Sequence, residues 1–261
     1  MNARVLVTGA GSGLGAALTS ALRERGDEVL ATDRVAGPRI DLALDVTSDD
    51  DWAAAVGIVR ERWGGLDLLI NNAGIAGGGR IDVSGIDEWQ RLVDVNLMSI
   101  VRGTRAFAEV FKSQGSGHVV NIASLAGLVH PAGMAGYNAV KAAVVALTET
   151  LGHEWAAYGI RASVVCPSYF RSNLTASITG ADEAVGAVVG TLVETSPFTA
   201  HDIAAATLEA LDAGADVVLP DPAGRQAWAL KQRDRDAYDA VMRDQATKLH
   251  AAAQPLPEEN R

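Results

Sequence analysis

Cysteine is nearly absent from this chain. Cys166 is the single one in 261 residues, which excludes an intramolecular disulfide framework. It follows an apolar run, where a buried and inert thiol is expected. Positive charge is also scarce: 22 Lys and Arg face 32 Asp and Glu, for a formal net charge of −10. That balance repels phosphate backbones and anionic membrane surfaces, so no nucleic-acid and no membrane partner is expected. No apolar run reaches the roughly 18 residues that a membrane-spanning helix needs. The opening MNARVLVTGAG lacks the basic, apolar and small-residue order of a secretion signal, so a cytoplasmic protein is expected. No group of His, Cys or carboxylates has the spacing of a metal site. Internal repeats and low-complexity linkers are missing too, and residues 1–261 read as one domain.

What is present is 48% hydrophobic residues, enough for one sizeable core. Short apolar runs of strand length recur at 4–8, 27–32, 66–70, 117–123, 160–166 and 215–220. Between them lie longer alanine-rich segments with helical spacing at 14–25, 49–63, 87–113, 137–158 and 201–212. Strands alternating with helices predict a parallel α/β sheet, and continuous rather than alternating apolar runs predict burial of both its faces. Thr199 is placed to cap the helix starting near His201, and Gly214 follows its end. Residues 172–200, rich in Gly, Ala, Thr and Ser, read as a mobile helical segment. Residues 221–252 are charged, with Trp228, Tyr238, Val241, Met242 and Leu249 as a loose helical stripe, and the final QPLPEENR reads as a frayed tail.

The run TGAGSGLG, Thr8 to Gly15, joins the first strand to the first helix. A turn with so little side chain lets backbone N–H groups approach a pyrophosphate, and the helix N-terminus adds a field that favours an anion. Three of its four glycines, Gly9, Gly13 and Gly15, give the spacing Gly-x3-Gly-x-Gly in place of Gly-x-Gly-x2-Gly. Asp33, at the end of the second strand, sits where an acid accepts hydrogen bonds from an adenosine ribose. A carboxylate there repels a 2′-phosphate and argues for NAD over NADP, with Arg34 next door as the counterweight.

From residue 4 to about residue 220 the chain resembles the short-chain dehydrogenase/reductase family, in its shorter, single-domain branch. The motifs are TGAGSGLG, Asp45–Val46, Asn71-Asn72-Ala73-Gly74, VNL around Asn96, NIAS ending at Ser124, and Tyr137-x3-Lys141, all in order. The resemblance implies a Rossmann-like doubly wound sheet of about seven parallel strands with helices on both faces. It implies a nicotinamide cofactor bound by Gly9, Ser12, Gly13, Leu14, Gly15, Asp33, Asp45, Val46, Asn72, Ala73, Gly74, Tyr137, Lys141, Pro167 and Ser172. It also implies a catalytic tetrad of Asn96, Ser124, Tyr137 and Lys141, a substrate lid over 172–200, and a homodimer or homotetramer. Two departures stand out. CPSYFRS carries Ser168 where members usually have glycine and Ser172 where they have threonine, and the chain runs on past the seventh strand as LPDPAGRQAWALKQRDRDAYDAVM. The usual packing of the carboxy terminus between subunits is therefore not expected to carry over.

A free phenol, with a pKa near 10, is a poor base at neutrality. Lys141 lies one helical turn beyond Tyr137, so the ammonium is expected to draw the phenol's pKa down. Ser124 is expected to hydrogen-bond the substrate oxygen, and Asn96 to hold a water that relays the proton. His130 and Tyr169 follow strand ends that border the cleft and are candidate substrate contacts; His118 and His153 read as structural. The lid run has no Arg or Lys to clamp an anion. Together these readings predict an NAD-dependent oxidoreductase interconverting a neutral, fairly apolar secondary alcohol and a ketone. Alternatives are an NADP-linked ketoreductase of acyl or polyketide chains and a non-catalytic nucleotide-sensing or scaffold protein.

Overall fold

The apolar runs become a seven-stranded sheet in the computed structural model, which describes residues 2–172 and 182–253. The strands are β1 (Arg4–Thr8), β2 (Glu28–Asp33), β3 (Leu42–Ala43), β4 (Leu68–Asn71), β5 (Gly117–Ile122), β6 (Ile160–Val165) and β7 (Val217–Val218). Their order is β3-β2-β1-β4-β5-β6-β7 and every pairing is parallel. Chain progression reverses between β1 and β4, so a crevice opens beyond their carboxyl ends, where open α/β sheets bind ligands. The short strand β3 has no counterpart among the six apolar runs. It is two residues long, half exposed, and exists through its ladder to Thr32 and Asp33 of β2.

Helices cover both faces. On one side α1 (Gly13–Glu24) and α8 (Ala200–Asp212) bury Leu18, Leu22, Ile203 and Leu208 against Val7, Ala31 and Ile70. On the other, α2 (Asp49–Trp63), α4 (Ser99–Gln114) and α6 (Ala135–Trp155) bury Trp52, Phe107, Phe111 and Leu151 against Leu6, Leu69 and Val119. Local signals set the ends of these helices. Ser48 accepts from the Asp51 N–H ahead of α2, three aspartates fill its first turn, and Gly64 closes it. Thr199 and Asp202 form a reciprocal capping box on α8.

The helix expected over 87–113 is not continuous. It runs as α3 (Ile86–Val93), a π-helical turn over Asp94–Met98, and α4. Wider turns of this kind are frequent at functional sites, and Asn96 lies inside this one. A short helix α5 (Ala126–Val129) follows β5. Within the lid region, α7 (Glu183–Glu194) begins where Asp182 caps the Val185 N–H; residues 173–181 of that expectation lie outside the described ones. Residues 221–252 form two helices, α9 (Pro222–Arg233) and α10 (Arg235–Ala253), divided at Asp234. The expected tail lies outside the described residues.

Candidate active site

The turn after β1 is built around two close approaches. Gly9 adopts φ +66°, and a Cβ on Gly15 would lie 2.1 Å from the Gly9 carbonyl oxygen and 2.4 Å from Asn72 Nδ2. Gly15 is thus needed for packing, and it does not line the cavity as a cofactor contact would. Ser12, just ahead of α1, makes no side-chain capping bond. Its position, with Gly9, Gly13 and Leu14, forms one wall of a cavity of about 650 Å³. Asp33 and Arg34 bound the same cavity, and Asp33 accepts the Gly11 N–H at 2.9 Å. Asp45 and Val46 line it as well; the Thr47 hydroxyl and N–H hold the Asp45 carboxyl below the usual carboxylate range. Asn72, Ala73 and Gly74 complete this part. Thr8 braces them: its Oγ1 accepts the N–H groups of Asn72 and Ala73 at 3.0 Å, and its carbonyl accepts Asn72 Nδ2 at 2.8 Å.

Asn96, Ser124, Tyr137 and Lys141 line the same cavity. Ser124 follows β5, and its hydroxyl is hydrogen-bonded to the Tyr137 phenol. The expected effect of Lys141 on that phenol is not what the geometry delivers. Lys141 Nζ donates to the Ile122 carbonyl at 3.0 Å and lies 5.7 Å from the Tyr137 ring centroid. Burial pushes the phenol up to about 12, outweighing the Ser124 bond that pulls it down. The same burial pushes Lys141 down to about 8. A low-dielectric site penalises both charged forms, and here that penalty exceeds the attraction across one helical turn.

Asn96 is fully buried in the π-helical turn. Its Oδ1 accepts the Ile75 N–H at 2.9 Å and its Nδ2 donates to the Ile75 carbonyl at 3.1 Å. The amide therefore braces the Asn72–Ile75 loop, a contact different from the water-holding one expected of it. A Cβ on Gly74 would stand 2.8 Å from that Oδ1, so the loop fits against Asn96 only as glycine.

Pro167, Tyr169 and Ser172 line the cavity. The Tyr169 hydroxyl points to Met134 Sδ at 3.6 Å, and burial pushes its pKa up. His130, the other substrate candidate, stands outside the lining. It is exposed at φ 57°, its Nδ1 accepts from Lys231 Nζ at 2.7 Å, and its Nε2 faces the Gly127 carbonyl at 3.2 Å. His118 lies away from the cavity, bonded to Ser163 Oγ at 2.9 Å, and burial brings its pKa down to about 4. His153 is exposed on α6.

Several lining residues escaped the sequence reading. Leu44 and Thr47 flank Asp45–Val46; Met134 enters from the loop before α6; Val185, Val189 and Val193 face inward from α7. The last three recur every four residues, a helical stripe visible in the sequence but undirected until something packs against it.

The residues fit a nicotinamide dinucleotide. One end of the cavity has a side-chain-poor turn at a helix N-terminus beside a strand-end acid, and the other has a Ser–Tyr pair with a buried lysine. Comparison with known proteins bears on the same residues. The model of the short chain dehydrogenase family matches residues 3–183. The chain is 36% identical over 181 residues to the 3-alpha-(or 20-beta)-hydroxysteroid dehydrogenase of Mycobacterium tuberculosis, covering 65% of this chain and 70% of that one. Its fold is similar to a short chain dehydrogenase/reductase of Burkholderia phymatum in complex with NAD, with TM-score 0.82, 29% identity, and coverage of 90% and 95% of the two chains. It is also similar to a Burkholderia cenocepacia short chain dehydrogenase in complex with NADP, with TM-score 0.78, 28% identity, and coverage of 93% and 99%.

Proposed function

The chain belongs to the short chain dehydrogenase family, and on that premise we propose that it interconverts a neutral, largely apolar secondary alcohol and a ketone with NAD. The observation that carries this reading is the Tyr137 phenol, hydrogen-bonded to Ser124, in a cavity that Asp33 also bounds. A bound nicotinamide supplies hydride transfer at the substrate carbon. Ser124 Oγ orients the substrate oxygen beside the phenol. Tyr137 then takes the hydroxyl proton in oxidation, or gives it back in reduction. Lys141, brought down to about 8, still carries charge at neutral pH one helical turn away. That charge favours the phenolate, whose formation burial opposes.

At the other end Asp33 is held by the Gly11 N–H, where a carboxylate accepts ribose hydroxyls and repels a 2′-phosphate. Met134, Val185, Val189 and Val193 exclude water and offer an apolar substrate wall. The hydroxysteroid dehydrogenase relative supports an alicyclic secondary alcohol as the substrate type. Arg34 lines the cavity beside Asp33, and it favours a second reading, an NADP-linked ketoreductase.

The test is a fluorescence titration with NADH and NADPH, followed by turnover of secondary alcohols by the wild type and by Tyr137→Phe. NADH is expected to bind at least tenfold more tightly than NADPH. The variant should lose on the order of 10²- to 10⁴-fold in kcat with NADH affinity unchanged within about twofold. Tighter NADPH binding would select the second reading. Full turnover by Tyr137→Phe, or binding of neither nucleotide, would overturn the proposal.

A further inference from the structure

The two helices after β7 are anchored to the back of the cavity wall. Lys231 of α9 donates to the Leu128 carbonyl at 2.6 Å and to His130 Nδ1 at 2.7 Å. Tyr238 of α10 is 4% exposed and its hydroxyl donates to the Val129 carbonyl at 2.5 Å. Leu249, near the other end of α10 and 5% exposed, packs with Met134 and Val185 and would lie 2.7 Å from a Cβ on Gly133. Val129, Pro131, Met134 and Val185 line the cavity, whereas Lys231, Tyr238 and Leu249 do not. The extension therefore touches the site only through its wall.

The opposite side of the same wall is also tied down. The Gly79 N–H donates to the Gly133 carbonyl at 2.8 Å. Arg80 grips Asp182, at the start of α7, through two bonds of 2.7 and 3.1 Å, and the Asp182 side chain is 1% exposed. With both sides fixed, segment 129–134 cannot move outward without breaking the Tyr238 and Lys231 bonds and uncovering Leu249. A wall held in this way admits a ring system up to a set width and resists a larger one.

We infer that the 222–253 helix pair is a strap that sets the width of the substrate end of the cavity. Leu249 and Tyr238 are the positioning residues that set how bulky a ring alcohol the site accepts. The inference rests on reading this cavity as the alcohol site. Removing the Leu249 side chain leaves Met134 and Val185 unsupported from behind, so the wall yields to bulkier rings.

The test uses the full chain as wild type, Leu249→Ala, Tyr238→Phe and Val241→Ala, the last an exposed control on the same helix. Each is assayed for oxidation of cyclopentanol, cyclohexanol and decahydro-2-naphthol, for NADH affinity, and for amide hydrogen exchange. For Leu249→Ala and Tyr238→Phe, the ratio of kcat/KM for the fused-ring alcohol to that for cyclopentanol should rise at least fivefold. The change should lie mainly in KM, with NADH affinity within twofold. Amides of 129–134 and 185–193 should exchange at least fivefold faster, with β1 and β4 unchanged and Val241→Ala like the wild type. A purely structural role would lower stability without moving that ratio. A ratio within twofold of the wild type in folded variants overturns the strap. If Leu249→Ala does not fold, Leu249→Met and Tyr238→Phe read the same quantities. If no alcohol is oxidised at all, the alcohol reading fails and exchange alone decides: acceleration at 129–134 and 185–193 supports the strap, and unchanged exchange sinks it.

Discussion

Lys141 is an expensive residue to keep. Its side chain is nearly fully buried and its ammonium finds one carbonyl, that of Ile122. A lysine near 8 in the fold and near 10.5 when unfolded destabilises the native state by about 3 kcal/mol while both states are protonated. The sign follows from proton counts. Between pH 8 and 10.5 the unfolded chain binds the extra proton, so this cost is complete below pH 8 and gone above 10.5. Lys141→Met, after losing the bond to Ile122, should therefore stabilise the protein by about 1–2 kcal/mol at pH 7. The gain should vanish toward pH 10, and alcohol turnover should fall at every pH. Thermal melts of both proteins from pH 6 to pH 10 check this, and a variant less stable than the wild type at pH 7 would refute it. At this scale the sequence was informative about identity and silent about aim. Tyr137, Ser124, Asn96 and Asp33 all reach the cavity, because short motifs at strand ends and on one helix face carry their positions with them. That Lys141 points to Ile122, that Asn96 braces Ile75 and that His130 turns out to meet Lys231 depends on side-chain partners distant in sequence.

Among the elements, the two departures from the family pattern prove to be one feature. Ser168 occupies the position expected to be glycine, and the chain continues past β7 instead of ending. Asp221, 1% exposed at the head of α9, accepts the Ser168 N–H at 2.9 Å, the Ser168 hydroxyl at 2.6 Å and the Gly224 N–H at 2.7 Å. One carboxylate thus caps the extension's first helix and pins the 167–172 loop, whose Pro167, Ser168, Tyr169, Phe170 and Ser172 line the cavity. Asp221→Ala leaves three donors without that partner, at a cost of about 2–4 kcal/mol. We expect NADH affinity to drop roughly tenfold as the loop loosens, while Ser168→Gly, which keeps the backbone bond, should lose about threefold or less. Titration with NADH distinguishes the two, and equal losses in both variants would contradict the account. Two other elements were beyond the sequence for physical reasons. The two-residue β3 has no apolar run because it is defined by its partner β2. The π-helical turn over Asp94–Met98 contains neither glycine nor proline, so the 87–113 segment reads as one helix.

For the molecule as a whole, strand order predicts where the structure opens last. β1, β4 and β5 are central, paired on both sides and mostly buried, whereas β3 and β7 are two-residue edges. Native-state hydrogen exchange should find the slowest amides at Leu6, Leu69 and Val119, exchanging only with global unfolding, and faster ones at Leu42 and Val217. Comparable protection at edges and centre would contradict this. The amino-acid sequence by itself determined the alternation of strands and helices, the glycine turn on α1 and the Tyr137–Lys141 spacing on one helix face. All of these arise between residues within a turn or a strand of one another, where steric and propensity rules act directly. Tertiary structure alone decided the direction of the lysine, the edge strands and the contacts of the carboxy-terminal helix pair with the cavity wall. Those depend on meetings such as Lys231 with His130 and Tyr238 with Val129, 101 and 109 positions apart, which no local rule specifies and which only packing of the whole chain brings about.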